Sequence, residues 1–277
     1  MAATATAPAS PNLKPGDPVV EFSHVSIGFD RDPVLRDISF IVRHGEMRII
    51  LGPAGVGKSV IMKLANGLLT PDSGEIRIFG RLLSDMTPRE MYEMRAHIGM
   101  VFQESALFDS LDVENNVAYR LEEERCDPAE IHTRVVEALR FVELEQAINK
   151  FPSELSGGMR RRVSIARAII SNPDLILYDS PTGGLDPITS TTIIELVIKQ
   201  RDVSQTTSLL ITHRIQDAFT LATHRFDPAT SKMLPIPDGG IDPSTKFLVL
   251  NDGRIVFDGT TQELVATTDD WLKAFIS

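Results

Sequence analysis

The segment that follows the apolar run Met47–Leu51 is the feature that most constrains the fold. It fits the pattern G-x-x-x-x-G-K-[ST] in full, and it precedes a helix predicted from Lys58 to about Gly67. Glycines at these positions let backbone N–H groups converge on phosphate oxygens at a helix start. The placement between a strand and a helix predicts a phosphate-binding loop rather than a chance glycine-rich turn. The loop residues are Gly52, Pro53, Ala54, Gly55, Val56, Gly57, Lys58 and Ser59.

Three side chains are predicted to complete this phosphate site. Lys58 would neutralise the β- and γ-phosphates, and the Ser59 hydroxyl would ligate Mg²⁺. Asp179 ends a second buried run, Leu175–Tyr178. A strand-end aspartate alone is weak evidence, but beside a phosphate loop it predicts a carboxylate that holds Mg²⁺ through water.

The sequence Leu155-Ser156-Gly157-Gly158-Met159 precedes a helical pattern. Ser156 is a good N-cap residue, and the two glycines leave backbone N–H groups accessible to a ligand. An anion-binding helix start and a plain capped helix are equally compatible with this motif when it is taken alone.

Length and composition limit the kind of protein. The 277 residues suffice for one large domain or two small ones, and the net charge of −10 argues against nucleic acid as a partner. The single cysteine, Cys126, cannot form an internal disulfide. No apolar run approaches the roughly 20 residues that span a bilayer. We therefore expect a cytoplasmic protein that reaches a membrane only by binding something, with residues 1–18 as a disordered tail.

Hydrophobic periodicity divides the chain into three kinds of region. Residues 19–46 and 74–83 read as antiparallel strands and turns, whereas residues from about 87 to 171 read as mostly helical. Apolar strands alternate with helices after residue 174, which predicts a parallel sheet covered on both faces. Arg160, Arg161 and Arg162 lie off the apolar stripe of the helix that starts near residue 157.

Taken together, these motifs resemble the nucleotide-binding subunit of ABC transporters, in family order and spacing, over about Val19 to Leu264. The resemblance implies an α/β fold of the P-loop NTPase (RecA-like) type. It consists of a parallel-sheet core, an N-terminal antiparallel β subdomain and an inserted helical subdomain. The implied boundaries are an ATP-binding domain at 19–267, the helical subdomain at about 87–171 and a C-terminal tail at 268–277.

The resemblance also implies ATP and Mg²⁺ as ligands and a head-to-tail pair of cassettes, identical or different. Each ATP would lie between the phosphate loop of one cassette and Ser156, Gly157 and Gly158 of the other. The remaining implied roles are adenine stacking by Phe29, Mg²⁺ and water sensing by Gln103, contact with the opposite site by Asp186, and γ-phosphate contact by His213. A core position in a hairpin remains open for Phe29.

Three short segments indicate a narrower resemblance, to the ATPases of MCE (Mla-type) lipid-trafficking transporters. They are Gly57–Val60, Ala106–Leu111 and Leu185–Ser190. The implied cargo is phospholipid or another hydrophobic molecule. The implied partners are a separate permease that docks near residues 103–111 and an MCE-domain protein, which would place the chain on the inner face of the cell membrane.

Ser180 departs from the family pattern, which has glutamate directly after the strand-end aspartate. Serine cannot act as a carboxylate base at neutral pH, and loss of a general base usually lowers the rate by about 10²–10⁴. Three readings stay open: slow hydrolysis, adequate hydrolysis with Gln103 and His213 orienting water, and an engineered change that traps ATP. The alternative function is a nucleotide-gated regulatory or assembly subunit with little hydrolysis.

A second departure spans residues 226–246, where the family passes directly into a strand. The prolines and glycines there predict an inserted hairpin or loop. A partner-binding role and a tolerated insertion without function remain equally open.

Overall fold

The computed structural model describes residues 11–30 and 32–277. The expected tail at 1–18 therefore lies mostly outside the described residues, and regular structure begins with β1. The strands are β1 (Pro18–Phe29), β2 (Asp32–Arg43), β3 (Met47–Leu51), β4 (Ser73–Ile78), β5 (Arg81–Leu82), β6 (Ile98–Val101), β7 (Leu175–Asp179), β8 (Thr207–Ile211), β9 (His224–Asp227), β10 (Lys232–Pro235), β11 (Thr245–Asn251) and β12 (Arg254–Thr260). The α-helices are α1 (Lys58–Ala65), α2 (Pro88–Arg95), α3 (Val113–Glu123), α4 (Pro128–Phe141), α5 (Gly157–Ile169), α6 (Pro187–Ser204), α7 (Ile215–Thr223), α8 (Thr261–Val265) and α9 (Asp270–Ile276).

A six-stranded sheet in the order β12-β11-β3-β8-β7-β6 forms the centre of the fold. Its strands are parallel from β11 to β6, and β12 is an antiparallel edge. Every residue of β3 and β8 is buried, as expected for strands covered on both faces. The predicted α/β parallel-sheet core is confirmed.

The two faces of this sheet belong to two different hydrophobic cores. Because side chains alternate along a strand, Ile49 and Leu51 join the core that contains α3 to α7. Ile50 points the other way and joins the core that contains α1 and the N-terminal strands.

The N-terminal strands form a separate antiparallel sheet in the order β2-β1-β4-β5. Its inner face is strongly apolar, and the rings of Phe22 and Phe40 stack with centroids 4.7 Å apart. Helix α1 supplies Ile61, Met62 and Leu64 to the core between the two sheets. The expected N-terminal antiparallel β part is present.

The helical insertion is shorter than the expected 87–171. Strand β6 lies inside that range, pairs in parallel with β7 and belongs to the central sheet. Four residues that include a glycine carry too little periodicity to predict a strand. Gly99 is required there, because a Cβ at this position would lie 2.4 Å from the Ala168 carbonyl oxygen of α5. The inserted helices are α3, α4 and α5.

The first part of residues 226–246 lies in a hairpin, which is one of the two structures expected there, a hairpin or a loop. Strands β9 and β10 pair through four residues each, and the hairpin starts at His224. The Met233 N–H donates to Glu195 Oε1 of α6 at 2.7 Å, and Met233 and Phe226 pack against the main core. The hairpin is therefore attached to α6.

The C-terminal residues 268–277 differ from the expected tail. They form α9, whose N-cap residue Asp269 accepts from the Leu272 N–H at 2.8 Å. Leu272 is 3% exposed and joins the main core. Among the described residues, no helix combines the length and the apolar character needed to cross a membrane.

This packing predicts that α9 contributes to stability. Leu272→Ala should lower the free energy of unfolding by about 2–4 kcal/mol, because it removes buried methyl groups and leaves a cavity. Lys273→Ala, one residue away on an exposed face, should change it by less than about 0.5 kcal/mol. Urea denaturation followed by circular dichroism measures both. Equal effects would mean that α9 does not dock as described.

Candidate functional site

Four loops meet at the carboxyl edge of the parallel strands. Ile50 of β3, Ile211 of β8 and Asp179 of β7 are aligned in one row of the sheet, and Val101 of β6 is paired with Tyr178. The segments that follow these strands therefore emerge side by side. They contain the loop at 52–59, His213 and Gln103, and Asp179 is the last residue of β7 at the same edge, so the structure brings these predicted site residues together.

The loop at 52–59 is shaped by glycines whose positions exclude a side chain. Gly52 has a φ of +147°, and a Cβ there would lie 2.4 Å from the Leu250 carbonyl oxygen. Gly57 has a φ of +98°, and its Cβ would lie 2.7 Å from Leu35 Cδ2. As N-cap of α1, Gly57 offers no side-chain acceptor to the first turn. The backbone N–H groups of the first turn therefore receive no side-chain acceptor from the N-cap, which suits binding of a phosphate chain.

The Lys58 side chain folds back into the loop at 52–59. Its Nζ donates to the carbonyl oxygens of Gly52 at 2.7 Å and Pro53 at 2.6 Å. Burial lowers the pKa of Lys58, and the negative charge of Asp179 opposes that effect. The ammonium group is therefore partly desolvated and is held by neutral oxygens, which leaves it ready to bind an anion.

Ser59 and Asp179 provide the oxygen atoms expected of a magnesium site. Ser59 Oγ lies 3.4 Å from Asp179 Oδ1, although the two residues are on different elements. Burial raises the pKa of Asp179, while the Ser59 hydrogen bond and the charges of Lys63, Lys58 and Arg161 lower it. Hydroxyl and carboxylate oxygens are the ligands that Mg²⁺ prefers, so these residues fit that ion.

Ser180 occupies a tight turn directly after Asp179. Its φ is +48°, a left-handed conformation that costs a non-glycine residue about 1–2 kcal/mol. Its N–H donates to the Ile211 carbonyl at 2.9 Å, and its own carbonyl accepts from the Gly183 N–H at 2.9 Å. The turn is also attached to α7, because the Thr182 hydroxyl donates to Asp217 Oδ2 at 2.5 Å. Ser180 is 7% exposed, so its position is closely defined by its surroundings.

Gln103 lies against this turn. Its Cγ and Nε2 atoms are 3.3 and 3.4 Å from the point where a Cβ of Gly183 would be. Arg161 of α5 donates to the carbonyl oxygens of Phe102, Gln103 and Gly183. The sequence indicates no function for Arg161 and places it only off the apolar stripe of its helix, whereas the residue is 3% exposed.

Ser156, Gly157 and Gly158 form the start of α5. Ser156 Oγ accepts from the Met159 N–H at 3.2 Å, which makes it the N-cap. A Cβ on Gly158 would lie 2.4 Å from Thr189 Cγ2, so glycine permits the start of α6 to pack here. Asp186 caps that helix: it accepts from the Thr189 hydroxyl at 2.5 Å and from the Thr189 N–H at 3.0 Å, and these bonds lower the pKa of Asp186. The two helix starts therefore form one surface.

Two further predicted residues are accessible. Phe29, at the end of β1, is 45% exposed, which rules out the alternative of a core position. His213 follows β8 and is exposed. The neighbouring Arg214 donates to Ser190 Oγ at 2.6 Å and thereby connects this loop to α6.

The region at 103–111 borders an aromatic groove of about 280 Å³. Phe108 is 42% exposed, and its ring centroid lies 4.7 Å from that of Tyr119. Arg167 lies over the Phe108 ring at 5.9 Å. Asn116 fixes the segment by accepting from the Phe108 N–H at 2.8 Å and donating to its carbonyl at 3.0 Å.

Comparison with known proteins gives a consistent result. A family model described as ABC transporter matches residues 35–183. Protein TRIGALACTOSYLDIACYLGLYCEROL 3 (chloroplastic) of Arabidopsis thaliana is 36% identical over 94% of this chain and 73% of its own length. The intermembrane phospholipid transport system ATP-binding protein MlaF of Escherichia coli is 33% identical over 93% of this chain and 88% of its own.

One relative is described with a different cargo. The probable ribonucleotide transport ATP-binding protein mkl of Mycobacterium tuberculosis is 36% identical over 73% of this chain and 56% of its own length. Among solved structures, a dimeric bacterial ABC transporter cassette superposes with a TM-score of 0.72 at 28% identity, covering 87% of this chain and 98% of that one.

The opposite pKa shifts of two aspartates give a test of this site. The pKa of Asp179 is raised above 3.8, so its ionisation opposes folding, and the penalty grows as pH rises through the folded-state pKa. Asp179→Asn should therefore raise Tm at pH 7, and the gain should shrink towards pH ~4.

Asp186→Asn serves as the matched control with the opposite sign. The pKa of Asp186 is lowered, so its carboxylate stabilises the fold above 3.8, and this contribution disappears as pH falls through the folded-state pKa. This variant should lower Tm at pH 7. Differential scanning calorimetry across pH measures both, and a lower Tm for Asp179→Asn at pH 7 would contradict the electrostatic description.

Proposed function

The chain belongs to the ABC transporter family as an ATP-binding subunit, and we propose that ATP bound and hydrolysed here drives lipid movement by a separate membrane permease. The observation that carries this proposal is the meeting of the phosphate loop, Asp179, Gln103 and His213 at one sheet edge. The likeness to MlaF over 93% of the chain supports phospholipid or a similar hydrophobic molecule as the cargo.

Each residue of this edge has a role that its geometry supports. Backbone donors of the 52–59 loop and the Lys58 ammonium bind the β- and γ-phosphates. Ser59, Gln103 and Asp179 would hold Mg²⁺, which, when bound, neutralises charge on the phosphate oxygens. His213 donates to the γ-phosphate. Phe29 presents an exposed aromatic face that suits stacking on adenine.

The surface formed by Ser156, Gly157, Gly158 and Asp186 is proposed to serve the ATP of a second cassette. A Cβ on Gly157 would lie 3.7 Å from Leu185 Cδ2 and one on Gly158 would lie 2.4 Å from Thr189 Cγ2, so both glycines lie beside the segment that starts α6. Open donors at a helix start suit a γ-phosphate supplied by another molecule. The dimeric cassette with a TM-score of 0.72 supports such a pairing.

The aromatic groove beside residues 103–111 is proposed as the docking surface for the permease. Its exposed rings of Phe108 and Tyr119 are typical of protein interfaces. Docking there would keep the chain at the cytoplasmic face of the membrane. An MCE-domain protein is proposed as a further component of the same transporter.

A regulatory subunit without turnover is not favoured. The complete set of nucleotide-binding motifs and the likeness to transport ATP-binding proteins both support coupling of hydrolysis to transport.

We further propose that Ser180 makes hydrolysis slow. A serine hydroxyl does not ionise near neutral pH, so it cannot take a proton from the attacking water. Gln103, held against Gly183, and His213 remain to orient that water. ATP binding should survive, because Lys58, Ser59 and Asp179 do not depend on a base at position 180.

The first test reconstitutes the chain with its permease in phospholipid vesicles. ATP should drive transfer of a fluorescent phospholipid, and Lys58→Ala should abolish both ATP binding and transfer, because the β- and γ-phosphates lose their cation. Lys273→Ala, which removes an exposed lysine of α9 far along the chain from the loop, should retain both. Transfer of a labelled ribonucleotide but not of phospholipid would support the cargo named for mkl and contradict the lipid proposal.

The second test adds the missing carboxylate. Ser180→Glu should raise ATP turnover by about 10²–10⁴, whereas Ser180→Gln, of nearly the same shape without a base, should not. ATP affinity should be similar in all three proteins. Phosphate release by the purified protein with its permease measures the effect, and equal turnover in all three would show that a missing base does not limit the rate.

A further inference from the structure

Arg161 is a buried cation bonded to three main-chain carbonyl oxygens. It lies on α5 and is 3% exposed. Its Nη1 donates to the Phe102 carbonyl at 2.6 Å, and its Nη2 donates to the carbonyls of Gln103 and Gly183, the latter at 3.2 Å. Hydrogen bonds from a charged donor are roughly twice as strong as neutral ones, so this side chain is a strong structural link.

The three carbonyls belong to two segments that are distant in sequence. Phe102 and Gln103 follow β6, whereas Gly183 lies in the turn that begins at Ser180 after β7. The Gln103 side chain rests against Gly183. A single guanidinium group therefore holds together the segment that carries Gln103 and the turn that carries Ser180.

Burial and the neighbouring carboxylates act on Arg161 in opposite directions. Burial lowers the pKa of Arg161, and the negative charges of Asp179 and Glu104 oppose that effect. The guanidinium group thus lies within electrostatic range of Asp179 on its own side of the molecule.

The start of α5, one to two turns before Arg161, belongs to a different site. Ser156 is the N-cap of this helix, and Arg161 follows five residues later, about 7.5 Å along the axis. A continuous α-helix transmits a displacement of its first turn to the next turns, because each residue is hydrogen-bonded to the preceding turn.

We propose that Arg161 is a positioning residue that couples the two nucleotide sites. When the partner's ATP binds to Ser156, Gly157 and Gly158, Arg161 fixes the positions of Gln103 and of the turn at 180–184 in the chain's own site. The inference rests on the proposed pairing of two cassettes. It assigns to Arg161 a function through Gln103 and Gly183, without contact with ATP.

Two other arginines of α5 provide matched controls. Arg162 donates to the carbonyls of Val142 and Glu143, at 3.2 and 3.3 Å, on the side of α4. Arg167 donates to the carbonyls of Ser105 and Ala106, at 3.0 and 2.8 Å, and has no bond to Gly183 among those of the described residues. Both are main-chain links from the same helix, so loss of either reports the general effect of removing an arginine.

The experiment measures hydrogen exchange of the full chain with and without ATP and Mg²⁺, together with ATP affinity, KM and kcat. In the wild type, amides at 102–106 and 180–184 should become more protected when ATP drives pairing. Arg161→Gln should accelerate exchange about tenfold in both segments and lower kcat about tenfold, since charge-assisted bonds of this kind contribute at least that factor. ATP affinity and KM should stay within about twofold, because the phosphate loop is untouched.

The controls separate positioning from general destabilisation. Arg162→Gln should leave both segments unchanged, and Arg167→Gln should affect only residues 105–106. Arg161→Lys should give intermediate exchange and kcat, because lysine retains the charge but lacks the planar fork that reaches three carbonyls. If Arg161→Gln does not fold, Arg161→Lys alone decides.

Each outcome has one meaning. If Arg161→Gln shows wild-type exchange at 180–184 and wild-type kcat, the coupling is overturned while the proposed function stands. If Arg161→Gln does not fold, the same result in Arg161→Lys overturns the coupling. A wild-type chain that fails to bind ATP or to pair overturns the proposed function and the inference with it. An equal loss in Arg161→Gln and Arg162→Gln reduces Arg161 to a general structural role and also rejects the proposal.

Discussion

The parallel hydrogen-bond ladder between β3, β8, β7 and β6 is the constraint on which the rest of the structure depends. Its register aligns Ile50, Ile211 and Asp179 in one row, so the segments that follow these strands must emerge together. Because β3 and β8 are buried on both faces, this edge cannot shift without disrupting two hydrophobic cores. The loops therefore hold chemically active groups on a rigid base.

Several features of this edge are unfavourable for stability and useful for ligand binding. Ser180 is held at positive φ. Burial lowers the pKa of Lys58 and raises the pKa of Asp179, so it disfavours the charged form of both groups. A phosphate chain with Mg²⁺, bound as proposed, would add further opposite charge beside these two groups. Such a site lowers the stability of the fold and favours ligand binding, as functional sites commonly do.

Under the proposed function the chain carries parts of two sites, and the helices connect them. The starts of α5 and α6, capped by Ser156 and Asp186, form one surface, while the sheet edge forms the other. Arg161 links α5 to the segments behind Gln103 and Gly183, and Thr182 with Asp217 attaches the same turn to α7. The turn after β7 is therefore the point where contacts from the sheet, α5 and α7 converge.

The sequence by itself determined the phosphate loop, the order of the motifs and the parallel core, because glycine spacing and buried apolar runs have local physical causes. It did not reveal that β6 joins the sheet or that residues 270–276 dock as a helix. Four residues around Gly99 carry no periodicity, and the C-terminal helix is short. Only the tertiary structure revealed the hydrogen bonds of Arg161, since its acceptors are main-chain carbonyls. Every residue has such a carbonyl, so nothing in the sequence marks those of Phe102, Gln103 and Gly183, which the fold alone brings within reach of one guanidinium group.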